Sequence, residues 1–126
     1  MISNILNISY QKMTIAEITE LLSAKVVCGK DFIHREVHRG FASDLMSDVL
    51  TLDTDSLLLI TGLCNLQTIR TSEMADISCI LFVRGKKVTP EMRLLATELD
   101  MILLECECSM FRAISTLNNA GLEPVY

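Results

Sequence analysis

The second half of the chain repeats one supersecondary unit three times, and this repetition restricts the fold more than any other feature. Leu57-Leu58-Leu59-Ile60-Thr61-Gly62 is an apolar run closed by glycine, with a helix expected to open near Asn65. Cys79-Ile80-Leu81-Phe82-Val83 is the second run and ends at Arg84-Gly85. After it Thr89 caps a helix with Pro90 in the first turn, where a missing N–H costs no hydrogen bond. Met92, Leu95, Ala96 and Leu99 make the apolar stripe of that helix. Met101 to Leu104 is the third run; Ser109 then caps a helix carrying Met110, Ile114 and Leu117, which Gly121 ends in a left-handed conformation. Runs that are apolar at every position are strands buried on both faces, as in parallel sheets covered by helices. The expected fold class is therefore α/β: a small three-layer domain with a mostly parallel sheet built from repeated βα units, plus an N-terminal helix and one or two edge strands.

The first half is read from local signals. Thr14-Ile15-Ala16-Glu17 has the form of a capping box, with Met13 and Ile18 placed for a hydrophobic staple. Ile15, Ile18, Leu21 and Leu22 continue as one helical face. Val26-Val27-Cys28 is a short strand ended by Gly29-Lys30-Asp31, and Ile33 to Phe41 alternates apolar and charged residues as a further strand. Ser43 or Asp44 is placed to cap a short helix through Leu45, Met46, Val49 and Leu50. Because the helical signals begin at Met13, residues 1–12 are expected to be an extension and 13–126 a single domain.

A chain of 126 residues, half of them hydrophobic, can bury one core without a second domain. The net charge is −5, and after position 50 ten Asp/Glu face six Lys/Arg, the wrong sign for a general grip on nucleic acid or anionic lipid. No apolar run reaches membrane-spanning length, and residues 1–12 lack the pattern of a signal peptide. Five cysteines, an odd number without a framework spacing, suit a reducing cytoplasm.

In open parallel sheets ligands gather at the carboxyl ends of the strands. Three loops fall there: Thr61 to Asn65, Arg84 to Lys87, and Glu105 to Ser109. Gly62 and Gly85 permit close backbone approach, and Asn65, Arg84 and Lys86 add polar groups suited to an anion, so a nucleotide or other phosphorylated metabolite is the ligand class these loops fit. The competing reading is ordinary solvated turns. No P-loop, dinucleotide fingerprint or nucleophile elbow is present, which argues against an enzyme. Cys106-x-Cys108 approaches metal-ligand spacing, with Cys28, Cys64 and Cys79 as further thiols, but without a second paired knuckle these are more simply buried hydrophobes. Cys64, next to a helix N-terminus, is a candidate low-pKa thiol. His34 and His38 lie in alternating sequence and have no partner acid in a metalloprotease pattern.

Ala42-Ser43-Asp44-Leu45-Met46-Ser47-Asp48-Val49-Leu50, followed by Leu58-Leu59-Ile60-Thr61-Gly62, resembles the DRTGG domain. Met13 to Ile18, Val83-Arg84-Gly85 and Val88-Thr89-Pro90-Glu91 agree in order, so the resemblance covers about residues 13–120. Gly62-Leu63-Cys64 and Arg84-Gly85-Lys86 replace the residues from which that family takes its name. The resemblance implies a regulatory role without catalysis or cofactor, often through self-association, and a fold similar to the amino-terminal domain of HPr kinase/phosphorylase. It points to a bacterial, cytoplasmic homodimer with an unidentified protein partner and no membrane. Asp44, Leu45, Met46, Ser47 and Val49 are the residues expected at the self-association surface. The alternatives from other classes are a cysteine-based metal or redox protein and, against the acidic charge, a DNA-binding regulator using the Thr14–Leu22 helix.

Overall fold

The computed structural model describes residues 9–126. The three apolar runs become β5 (Leu57–Thr61), β6 (Cys79–Phe82) and β7 (Ile102–Glu105), each buried at every position. With β4 (Arg39–Ala42) they pair in parallel in chain order. The antiparallel β2 (Lys25–Cys28) closes the edge beyond β7, and the two-residue β8 (Glu123–Pro124) pairs in parallel with β4 at the other edge. The six-stranded order is β2-β7-β6-β5-β4-β8, and β1 (Met13–Thr14) pairs with β3 (Glu36–Val37) in a small separate ribbon.

Alternation along each strand sends side chains to two cores. Leu58, Ile60, Leu81, Ile102 and Leu104 pack with Ile15 and Ile18 of α1 (Ile15–Leu22) and with Ala113 and Leu117 of α5 (Met110–Asn119). Leu59, Ile80, Phe82 and Leu103 face the other way, onto α2 (Met46–Val49), α3 (Leu66–Met74) and α4 (Pro90–Glu98). The result is the expected three-layer α/β arrangement with a mostly parallel sheet.

Local chemistry sets the helix starts. Thr14 and Glu17 form the reciprocal capping box, while Asn65, Thr89 and Ser109 each accept a backbone N–H at the start of α3, α4 and α5. Pro90 occupies the first turn of α4, and Gly121 takes a φ of +112° just past α5.

Three local expectations are corrected. Ile33 to Phe41 is not one strand: Gly29, at φ +85°, turns the chain into a short 3-10 helix (Lys30–Phe32). The remainder divides between β3 and β4, in different sheets, with His38 N–H donating to the Ser56 carbonyl at the junction. Neither Ser43 nor Asp44 caps α2, whose N-cap is Leu45 without a side-chain hydrogen bond. Ile114 is 39% exposed and lies outside the core, because Ala113 and Leu117 supply the core face of α5. Of the expected extension, residues 1–8 lie outside the described residues, and Gln11 N–H donates to the Gly121 carbonyl.

Candidate functional site at the carboxyl edge of the sheet

The loops after β4, β5, β6 and β7 all emerge at one edge of the sheet. The chain leaves β6 toward α4 on one face and leaves β7 toward α5 on the other. Divergence of neighbouring loops is the arrangement that opens a ligand crevice in α/β sheets. Here the protein's own groups fill it. Arg84 N–H donates to the Cys108 carbonyl at 2.8 Å and Gly85 N–H to the Cys106 carbonyl at 3.0 Å. Both residues have positive φ, +63° and +69°, which aims consecutive N–H groups at the β7 loop. Glu105 is nearly buried, and its Oε2 accepts Val88 N–H at 2.7 Å. The exposed Lys87 reaches both Glu107 at 3.2 Å and Glu105 at 3.8 Å, and the Glu107 carboxylate chiefly raises its pKa.

The second cluster spans the β4, β5 and β6 loops. Asp44 Oδ1 accepts Gly62 N–H at 2.7 Å and the Thr61 hydroxyl at 3.0 Å, and its Oδ2 pairs with Arg84 Nη2 at 3.1 Å. The Thr61 hydroxyl in turn accepts Leu63 N–H at 3.1 Å. The Gly62 N–H bond is the main reason the Asp44 carboxyl sits below its ordinary pKa; burial opposes it and the Arg84 and Thr61 bonds add to it. Gly62 is a requirement of this geometry, because a Cβ there would overlap the Arg84 guanidinium.

Gly62, Arg84 and Gly85 therefore meet at one edge. Asn65 stands beside them as a structural cap, its Oδ1 accepting both the N–H and the hydroxyl of Thr68. Lys86 is exposed in the β6 loop. Asp44 belongs to this cluster through its carboxylate. Thr61 and Glu105 were not singled out by sequence reasoning; a buried polar residue at the end of an otherwise apolar strand is the signal that finds both.

The remaining candidates are distributed differently. Met46 and Val49 spend their side chains in the core, a correction to their expected surface role, because α2 has one apolar face and the domain covers it. Leu45 is 57% exposed and Ser47 is exposed. Cys28 and Cys79 lie in opposite core layers. Among the described residues no group of three or more His, Cys, Asp and Glu side chains is placed to hold a metal ion. Cys64 is corrected as a low-pKa thiol: burial and the Glu105 charge push it up, and it bonds to the Lys87 carbonyl at 3.4 Å. Burial chiefly pushes Cys106 up to about 12, with its neighbour Cys108 adding to the shift. His34 and His38 are exposed and not on a helix. The α1 helix turns Glu17 and Glu20 to solvent, a face that repels DNA. A separate apolar groove of about 250 Å³ runs along β4 and β8, lined by Phe41, Ile114, Leu122 and Tyr126 among others.

No family model matches this sequence, and no curated protein matches it. Among solved structures, the chain is similar to the CBS and DRTGG domains of the regulatory region of Clostridium perfringens pyrophosphatase, complexed with activator, diadenosine tetraphosphate. The similarity has a TM-score of 0.69 at 14% identity and covers 87% of this chain. The fold is DRTGG-like. This chain spans 47% of that structure, about half its length. Among the described residues no helix is long and apolar enough to cross a membrane.

Proposed function

We propose that this chain is a non-catalytic regulatory module that takes an anionic, phosphorylated small molecule at the carboxyl edge of its sheet, in competition with Asp44. One observation carries the reading: a backbone N–H from Gly62, the Thr61 hydroxyl and the Arg84 guanidinium converge on a single carboxylate. These are donor types that also bind phosphate, gathered where α/β sheets bind ligands. Asp44 is a side chain of the adjacent loop and about half exposed, so an anion with more charge can displace it. The pyrophosphatase regulatory region supplies the choice of probes, since its structure contains a dinucleoside polyphosphate activator.

The same groups support a role without catalysis. Asp44 is held below its ordinary pKa, which makes it a poor general base. Glu105 is committed to Val88 N–H, and the Cys106 thiol is buried at 3% exposure, out of reach of a substrate. Self-association belongs to this reading. Leu45 and Leu50, 57% and 48% exposed, flank α2 beside the Asp44 loop and leave apolar surface that a second copy would cover. The five free cysteines suit action in the cytoplasm.

The test is a thermal-shift screen against adenine nucleotides, diadenosine tetraphosphate and acyl phosphates, with light scattering on the same samples. At a hundred times its dissociation constant a ligand adds about 2.7 kcal/mol, a visible rise in melting temperature. The expected result is a polyphosphate hit that is lost in Arg84→Ala and strengthened in Asp44→Ala. A hit indifferent to both substitutions places the ligand elsewhere and defeats this reading.

A further inference from the structure

Cys106 and Cys108 are the one close pair among the five thiols, with their sulfurs 3.2 Å apart. The chain bends at Glu107–Cys108, which shortens the span between the two residues and turns both side chains the same way. Cys106 is buried at 3% exposure in the core layer under α1 and α5, whereas Cys108 is partly open to solvent. The pair is therefore asymmetric, with one thiol that an oxidant can reach and one that it cannot. The backbone of the same two residues also holds the ligand edge, because their carbonyls accept the N–H groups of Gly85 and Arg84.

We propose that Cys106 and Cys108 form a redox-active dithiol that closes to an intramolecular disulfide and, in closing, loosens the Arg84–Gly85 loop. The oxidant is a low-molecular-weight disulfide. The Cys108 thiolate attacks one of its sulfurs, the S–S bond breaks, and one thiol departs after taking a proton. Cys106 then loses its proton and attacks the Cys108 sulfur, expelling the second thiol. Two protein thiols are oxidised to one disulfide while one small disulfide is reduced to two thiols.

Mixed-disulfide formation removes the Cys108 thiol that helps hold Cys106 in its protonated form, so the first step assists the second. Drawing the sulfurs from 3.2 Å to the roughly 2.0 Å of a disulfide requires the 106–108 segment to contract. That movement shifts the two carbonyls that accept Arg84 and Gly85, and with them the guanidinium that lies over Gly62. The inference depends on geometry alone and stands whether or not an anion binds at Asp44.

The experiment treats the full chain with oxidised glutathione, blocks remaining thiols, digests with trypsin and measures peptide masses and amide hydrogen exchange. Cys106 and Cys108 fall together in the peptide Leu94 to Arg112, apart from Cys28, Cys64 and Cys79. The expected product is that peptide lighter by two hydrogens and unblocked, restored by a dithiol reductant and absent in Cys106→Ser and in Cys108→Ser. Cys108→Ser keeps the buried thiol and serves as the control should Cys106→Ser fail to fold. Exchange at the Arg84 and Gly85 amides should be about threefold faster or more in the oxidised protein. A chain that remains folded but yields only glutathione adducts or unreacted thiols overturns the proposal. So does a disulfide that leaves exchange at Arg84 and Gly85 unchanged.

Discussion

Replacing Asp44 with alanine removes the acceptor that holds three loop ends together, and its cost follows from the bonds lost. Gly62 is buried and its N–H donates to the Asp44 carboxylate, so the substitution takes away a charged acceptor. A hydrogen bond to a charged acceptor contributes about 1.5–3 kcal/mol. The Arg84 pair adds only about 0.2–1 kcal/mol because both partners are roughly half exposed. Discounting for that exposure, Asp44→Ala should lose about 2 kcal/mol at neutral pH. Asp44→Asn keeps an oxygen for Gly62 and gives up the charge, so it should lose about half as much. The folded carboxyl lies below its ordinary value of 3.8. The part of its contribution that depends on charge is therefore complete above that value and is lost as pH falls through the folded pKa. Urea unfolding at neutral pH and near pH 3 reads both quantities, with the gap between wild type and Asp44→Ala narrowing in acid. A gap under about 0.5 kcal/mol at neutral pH, or one that persists unchanged in acid, would refute the assignment of these bonds.

Two further substitutions test the scaffold. Gly29→Ala asks a side chain to adopt φ +85° with its Cβ 2.7 Å from the Met101 carbonyl oxygen and 2.9 Å from Ile102 Cα, so urea melts should show a loss of about 2 kcal/mol or more. Ser72→Ala should move the other way: Ser72 is fully buried with no hydrogen-bond partner for its hydroxyl among the described residues, and removing that group inside α3 should raise stability by about 1 kcal/mol.

The parts of this fold that were legible in the sequence are those decided by neighbouring residues. A capping box closes within four positions, and a strand buried on both faces declares itself by being apolar throughout. Thr14, Asn65, Thr89, Ser109 and the runs at Leu57, Cys79 and Met101 are all of this kind. Asp44 was misplaced because a carboxylate just before a short helix has the local signature of a cap, whereas its real partners lie 18 and 40 positions away. The Ile33–Phe41 alternation was misleading for a related reason: two short strands in different sheets carry the same period as one long strand. β8 is two residues long and contains a proline, too little to stand out without the β4 edge that receives it. Met46 and Val49 show that an apolar face predicts burial without saying against what.

The central claim, that the Asp44 cluster is an anion site closed by its own carboxylate, is tested most directly at the Gly62 amide. The measurement is a titration of isotopically labelled protein with inorganic tripolyphosphate and with diadenosine tetraphosphate, following the Gly62 and Arg84 amide resonances. The account predicts saturable shifts centred on these two amides, with tighter binding in Asp44→Ala and none in Arg84→Ala. Resonances at Gly62 and Arg84 that stay in place while others move, or that never move through millimolar ligand, would contradict it.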